Sequence, residues 1–417
     1  MVRVFVVALA CFSFGCTTRD TTNPEDAVRQ YIRLSVALGD HDPNSLDYYY
    51  GSPEWVADVR AHPPKLAEIK QASLDLIARL QSISPGPLHK DFLVGQLHAL
   101  VTRADLLRGI RPSFDREASA LFALDIVPEP KHARMESIRK EVARLLPGAG
   151  TLADRYAAFD QKFLIKENNV AAVMERALQG CRERTLQHLR LPAGEGVKVE
   201  YVSNRPWNAY SRYQGNFQSL IQINADFALT VDRALGLACH EGYPGHHAHN
   251  SMQDAQLVRR EGRLELMVQP TFSPQSLVSE ALATYAVEMA FPPGDRLAFE
   301  RDELFPLAGL DPRNAETYLR VSRLVDELEV EEPGIARDYL DGRLEWARAA
   351  SALEDRALMA YTEATLKYLN EFRTYMLTYT VGKEMASNCM ARATGEDRWR
   401  TYEQLITWRL RLHDCGG

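Results

Sequence analysis

Several things are scarce in this chain of 417 residues, and each scarcity excludes something. Past the first 15 residues no run of 18 uninterrupted apolar residues occurs, whereas a membrane-spanning helix needs about 20. Positive charge is not in excess: Lys plus Arg is 49 against 56 for Asp plus Glu, a net charge of -7. A basic footprint of the kind that binds nucleic acid is therefore missing. Cysteine is sparse, with 6 residues and no C-x-x-C pair, which excludes a cysteine-built metal cluster and a disulfide-stapled miniature fold. Neither internal repeats nor low-complexity segments are present. What remains is 46% apolar and 25% charged, the composition of a globular protein large enough to enclose a cleft.

The amino terminus has a character of its own. Arg3 precedes an apolar run over residues 4–14 that ends in Gly15-Cys16. The run is too short to cross a bilayer and suits a secretory signal. It resembles a bacterial lipoprotein signal cleaved before Cys16, with Ser13 standing where Leu is usual. The resemblance implies export, with a lipid on Cys16 as the only membrane attachment and a body facing the periplasm or cell exterior. In such a compartment Cys181, Cys239, Cys389 and Cys415 can pair, and Cys389 with Cys415 is the first pair to expect. Four free thiols is the competing reading.

Most of the body reads as helix. Asn23-Pro24-Glu25-Asp26 supplies a cap, a first-turn proline and acids at the positive end of the dipole. Apolar spacings of three and four predict further helices over residues 65–82, 88–110, 131–146, 151–163 and 168–190. Breaks such as Ser84-Pro85-Gly86-Pro87 separate them. Residues 197–202 and 217–224 read as strands, with a polar and aromatic loop over 204–210 between them. The expected fold is mainly α, a large helical body with a small sheet beside a pair of helices. The division follows as signal 1–15, tether 16–23, an N-terminal helical region 24–190, and a second region 191–417 that carries the chemistry. The boundary near 190 is soft and also allows the two halves to form one body around a cleft.

That chemistry is concentrated in Cys239-His240-Glu241-Gly242-Tyr243-Pro244-Gly245-His246-His247-Ala248-His249, which holds four of the 11 histidines. His-Glu opening such a cluster is similar to the zincin pattern H-E-x-x-H. There two imidazoles one helical turn apart hold zinc while the Glu polarises a water. Position 244, where the second His belongs, is Pro. In an unbroken helix His246 would lie about 240° around the axis from His240, on the wrong face. Pro244 disfavours helical backbone at Tyr243, and Gly245 can take a left-handed turn. The chain can thus stop one helix, bulge by two residues, and start another with His246 or His247 turned back toward His240. A two-residue expansion of the pattern favours His246. His249 is expected to support the site or to face solvent.

His-Glu-x-x-Pro-Gly-His-His is similar to the signature of the bacterial domain-of-unknown-function 885 family, whose members resemble zincin metallopeptidases. The resemblance continues at Ser279-Glu280-Ala281-Leu282-Ala283-Thr284-Tyr285-Ala286, where Ala281-Leu282 replaces a Gly-Trp pair. It reaches Thr378-Tyr379-Thr380-Val381-Gly382 as well. It implies one zinc ion, a hydrolase activity and a short peptide as substrate.

Independently of the family, a zinc site with two imidazoles and a water needs a third protein ligand, commonly a carboxylate from a later helix. Glu280 lies in an apolar helical stretch where a solvated Glu would be out of place, and Glu288 on the same stretch is the competitor. The expected site is therefore His240, His246 and Glu280 around Zn2+ with Glu241 as general base. As oxyanion donor the resemblance implies Tyr379, which matches its third motif and repeats Tyr375 at helical spacing. The strand over 217–224 is a candidate partner for an extended peptide. Arg205, Arg212 or Lys383 could meet a terminal carboxylate. A metal- or peptide-binding lipoprotein without turnover and a zinc hydrolase of non-peptide amides or esters are the two rival functions.

Overall fold

The computed structural model describes residues 24–82, 89–125, 127–205 and 207–415. The expected signal, Cys16, the tether and the Ser84-Pro85-Gly86-Pro87 break lie outside the described residues. The fold is mainly α with small sheets, as the sequence suggests.

The N-terminal part comprises α1 (Pro24–His41), β1 (Leu46–Tyr49), α2 (Ala57–Ala61), α3 (Leu66–Ser82), α4 (Lys90–Leu107) and α5 (Phe114–Phe122). It continues through α6 (His132–Leu145), α7 (Leu152–Asp160) and α8 (Glu167–Leu186). Local chemistry sets several of these boundaries. At α7, Thr151 accepts from the Asp154 backbone while the Asp154 side chain accepts from the Thr151 backbone, a reciprocal capping box. At α1, Pro24 occupies the first position and Glu25 and Asp26 sit at the positive dipole end.

Next comes a three-stranded sheet of β2 (Gly196–Val202), β3 (Ala209–Tyr213) and β4 (Gln218–Asn224), in the order β2-β4-β3. Strand β2 runs parallel to β4, and β3 runs antiparallel to it. The loop expected over 204–210 is shorter than its composition suggests, because Ala209 and Tyr210 already belong to β3. Small and aromatic residues alternate there, and the alternation is too faint to read as a strand unaided. A consequence is a correction: β4 is the central strand, so it has no free edge for a peptide. The outer strands are β2 and β3.

Helices α9 (Val231–Glu241) and α10 (His246–Gln253) follow, then β5 (Val268–Pro270) and α11 (Pro274–Ala290). Ser273 caps α11 and Pro274 opens it. The chain ends in α12 (Pro293–Phe299), α13 (Phe305–Ala308), α14 (Ala315–Asp326), α15 (Glu332–Leu340), α16 (Trp346–Ala357), α17 (Thr362–Phe372), α18 (Leu377–Ala391) and α19 (Glu396–Ile406).

Residues on both sides of position 190 share core clusters. Ile221 and Ile223 of β4 pack with Val173 and Ala177 of α8 and with Leu235 and Ala238 of α9. Phe114 and Leu121 of α5 share a second cluster with Leu366 and Leu369 of α17. Strand β1 pairs antiparallel with the distant β5. Two disulfides are present, Cys181–Cys239 and the expected Cys389–Cys415. The first ties α8 to α9 directly beside His240. Among the described residues no helix is long and apolar enough to cross a membrane.

Candidate metal centre

The His-Glu segment forms two helices joined by a tight bulge, as the Pro-Gly pair requires. Helix α9 ends at Glu241, and α10 begins at His246. Across the bulge the Gly245 N–H bonds to the Cys239 carbonyl at 3.0 Å, and the Ala248 N–H bonds to the Gly242 carbonyl at 3.2 Å. Each bond reaches back six residues where a regular helix reaches four. The two extra residues are thereby absorbed, and His246 takes the rotational place that position 244 would hold in an unbroken helix. The Tyr243–Pro244 peptide is cis.

Gly245 serves differently from the expectation. Its φ is −71°, not left-handed. Glycine is required by crowding: a Cβ there would lie 1.9 Å from the His240 carbonyl oxygen and 2.5 Å from that of Cys239. Such contacts with backbone cannot be relieved by a rotamer change.

Three side chains from two separate stretches then converge. His240 Nε2 and His246 Nε2 are 3.1 Å apart. Glu280 from α11 brings Oε2 to 3.2 Å from His240 Nε2 and Oε1 to 3.4 Å from His246 Nε2. Nitrogen and oxygen ligands about 2.0–2.2 Å from a tetrahedral zinc ion lie about 3.3–3.5 Å from one another, so this spacing fits such an ion. A second sign of fit is Glu280 Oε2, which is buried and makes no aligned hydrogen bond despite its proximity to His240. Glu241 also brings a carboxylate oxygen within 4.8 Å of both imidazoles. Glu280 is the better ligand because its oxygens approach the nitrogens more closely, whereas Glu241 is hydrogen-bonded by the Ser211 backbone of β3.

Surrounding groups fix these ligands. His246 Nδ1 lies 3.2 Å from Ser279 Oγ, which orients the ring, and Tyr375 donates to Glu280 Oε1 at 2.8 Å. Burial alone would raise the Glu280 carboxyl, but the charge of His246 and contacts with both imidazoles hold it well below the usual range. Burial would lower His246, yet Glu280 and then Glu241 push it up to about 9. Glu241 is itself pushed up, because burial outweighs the attraction of the two histidines.

Tyr379 lies with its ring 6.2 Å from that of His240 and 5.6 Å from that of Tyr375. Burial and then the Glu280 charge raise its phenol, so it stays protonated. Both tyrosines come from the start of α18 and the turn before it. Helix α18 lies close against α11 because Gly382 has no side chain; a Cβ there would be 3.1 Å from Ala281 Cβ.

The remaining histidines are turned elsewhere. His247 Nε2 contacts Glu195 Oε2 at 2.9 Å and its Nδ1 contacts Ser219 Oγ at 2.8 Å. His249 is buried, with Nε2 3.0 Å from the Tyr402 hydroxyl. The competing carboxylate Glu288 is paired with Lys383 at 3.3 Å, which also removes Lys383 from the list of uncommitted cations. Sequence reasoning missed Ser279 and Glu195, and it noted Tyr375 only as a helical repeat of Tyr379. Ser279 stands directly before Glu280 and was accessible by that adjacency; Glu195 carries no local signal.

The chain matches no protein-family model and no curated protein. Among solved structures it is similar to a candidate lipoprotein from Colwellia psychrerythraea, with a TM-score of 0.46 and 13% identity. That match covers 94% of this chain and 77% of the other.

Proposed function

We propose that the chain is a zinc-dependent hydrolase that cleaves short peptides, related to the domain-of-unknown-function 885 family its signature resembles. The observation that carries this reading is the convergence of His240, His246 and Glu280 at zinc-like spacing with the buried carboxyl of Glu241 beside them. A zinc ion held there would act as a Lewis acid toward a carbonyl oxygen and bring the pKa of a water close to neutrality.

The chain's own groups perform the rest. Glu241 takes a proton from the attacking water as the oxygen bonds to the carbonyl carbon. It then hands that proton to the amide nitrogen as the C–N bond breaks. A carboxyl raised by burial suits both duties, because its affinity for the proton lies nearer the working pH. Tyr379, protonated and facing His240, donates a hydrogen bond to the oxygen that gains negative charge.

The peptide lies along β3. In the antiparallel pair, the Gln214 N–H bonds to the Gln218 carbonyl and the Asn224 N–H to the Asn208 carbonyl. Alternation then turns the backbone groups of Ala209, Ser211 and Tyr213 away from β4. The Ser211 N–H is taken by Glu241, which leaves the groups of Ala209 and Tyr213 and the Ser211 carbonyl for a peptide. Export with a lipid on Cys16 completes the reading, and two disulfides among buried residues suit an oxidising compartment.

The test is Glu241→Gln. The variant should retain one zinc per chain by metal analysis and lose about 100- to 10,000-fold in kcat on a peptide library, the usual worth of a general base. Activity that survives the change overturns the mechanism. A chain that binds zinc and peptides in both forms without turnover is the non-catalytic lipoprotein instead.

A further inference from the structure

Behind Glu241 the molecule is hollow. A cavity of about 290 Å³ lies between the layer of α8 and α9 and the facing side of the β2-β4-β3 sheet. One end, beside the candidate metal centre, is lined by Ala238 and Glu241 of α9 with Ala209 of β3. Met174 and Leu178 of α8 form one wall, and Val199, Ile221 and Ile223 of the sheet form the other. Its other end lies at Ala171, Glu175 and Tyr201, all three exposed. Regular geometry builds the space. Residues 171, 174, 175 and 178 share one face of α8, while residues 199, 201, 221 and 223 share one face of the sheet. Alanine at 171, 209 and 238 leaves open what larger side chains would fill.

We infer that this cavity receives an apolar side chain of the substrate, on the residue flanking the bond that is cut. The inference rests on the peptide-hydrolase reading and names the substrate class for it. Three observations carry it. First, Glu241, the group assigned to move the proton at the scissile amide, is part of the wall, so an occupant belongs to a residue beside that amide. Second, the volume lies at the lower end of small-molecule sites, roughly 300–1,000 Å³, and suits one side chain of the size of Leu, Met or Phe. Third, the lining holds no cation, and its charged members are the carboxylates Glu175 and Glu241. An Asp or Glu side chain would meet like charge and lose its hydration without a partner. Strand β3 connects the two parts of the site, since Ala209 faces the cavity while its backbone faces the edge on which the peptide lies.

The experiment uses the full zinc-loaded chain and peptides that differ only at the residue flanking the cleaved bond, carrying Leu, Phe, Ala or Asp. The expected kcat/KM for Leu or Phe exceeds that for Ala by at least about tenfold, with Asp lower still. Two variants obstruct the cavity, Ala171→Phe at its exposed end and Val199→Phe in the wall, each checked for folding by thermal melting. In both, the Leu-to-Ala ratio should fall toward one. A wild-type chain that cleaves all four peptides alike, or a preference that both folded variants retain, overturns the cavity assignment and leaves the hydrolase standing. If no peptide is cleaved at all, calorimetric binding of leucinamide and alaninamide decides. Leucinamide bound by the wild type and lost in both variants supports the pocket while the hydrolase reading falls. Binding of neither amide removes both.

Discussion

Two histidine–carboxylate clusters lie on either side of the same short segment, and they are built on opposite principles. In one, His247 meets Glu195 and Ser219 at 2.9 and 2.8 Å. Tyr243 donates to the same Glu195 oxygen at 2.5 Å, and Arg182 donates to the other at 2.6 Å. Every polar group there has an aligned partner, so the cluster is complete as it stands. In the other, the facing ring nitrogens of His240 and His246 lie 3.1 Å apart, each within 3.4 Å of a different Glu280 oxygen, and one of those oxygens lacks an aligned bond. A shared cation would suit this second arrangement, whereas the first has little capacity left for one. Proximity of His to Glu is therefore a poor guide to a metal site. Whether the hydrogen-bonding capacity is already satisfied separates the two.

The sharpest way to break that comparison is to remove one imidazole from each side. His246→Ala should lower zinc affinity by well over about 100-fold, beyond what loss of a supporting residue does, as read by competition with a chromogenic chelator. His247→Ala should keep its zinc. Equal zinc loss in both would erase the distinction drawn here.

A smaller effect concerns the bond between the clusters. Cys181 precedes Arg182 and Cys239 precedes His240, so their disulfide joins the helix of one cluster to the helix of the other. The bridge closes a segment of 58 residues, and the chain-entropy argument gives it about 4 kcal/mol of stability. Denaturant unfolding of the double Cys181→Ser, Cys239→Ser variant measures it, and a loss under about 1 kcal/mol would show that packing alone holds the two helices.

His247→Ala should cost less, about 2 kcal/mol in the same measurement, because Ser219 and part of Glu195 lose a buried partner while Arg182 and Tyr243 remain. The smallest effect is on pH dependence. Burial would raise Glu195, but contacts from His247, Tyr243 and Arg182 hold it down to about 2. A carboxyl depressed by folding adds stability that is present above its ordinary range, near pH 4.5, and lost as pH falls toward 2. Thermal melts across that window should show a decline that Glu195→Gln flattens. An unchanged profile in that variant would mean the cluster adds nothing that depends on charge.

Much of the site was legible along the chain because its information is local. His240, Glu241, Pro244, Gly245 and His246 stand within seven residues, and a pattern similar to an interrupted zincin motif points to both the candidate ligands and the break between them. The helices around it were legible for a related reason, since their apolar spacing repeats with the helical turn. Strand β3 was not, because Ala209-Tyr210-Ser211-Arg212-Tyr213 becomes a strand through pairing with β4 and not through its own alternation. The expectation of a free edge on β4 followed from that omission. Strand order depends on contacts that no local pattern records.

The sequence by itself determined a mainly helical chain with an interrupted His-Glu segment, because periodicity and the conformational limits of Pro and Gly act over a few residues. The tertiary structure decided which imidazole faces the centre. His246 and His247 are neighbours with the same chemistry, and they differ in what the fold places opposite them: Glu280 from α11 for one, Glu195 and Ser219 for the other. Side-chain roles at such a site are assigned by partners distant in the chain, and only packing brings those partners into place.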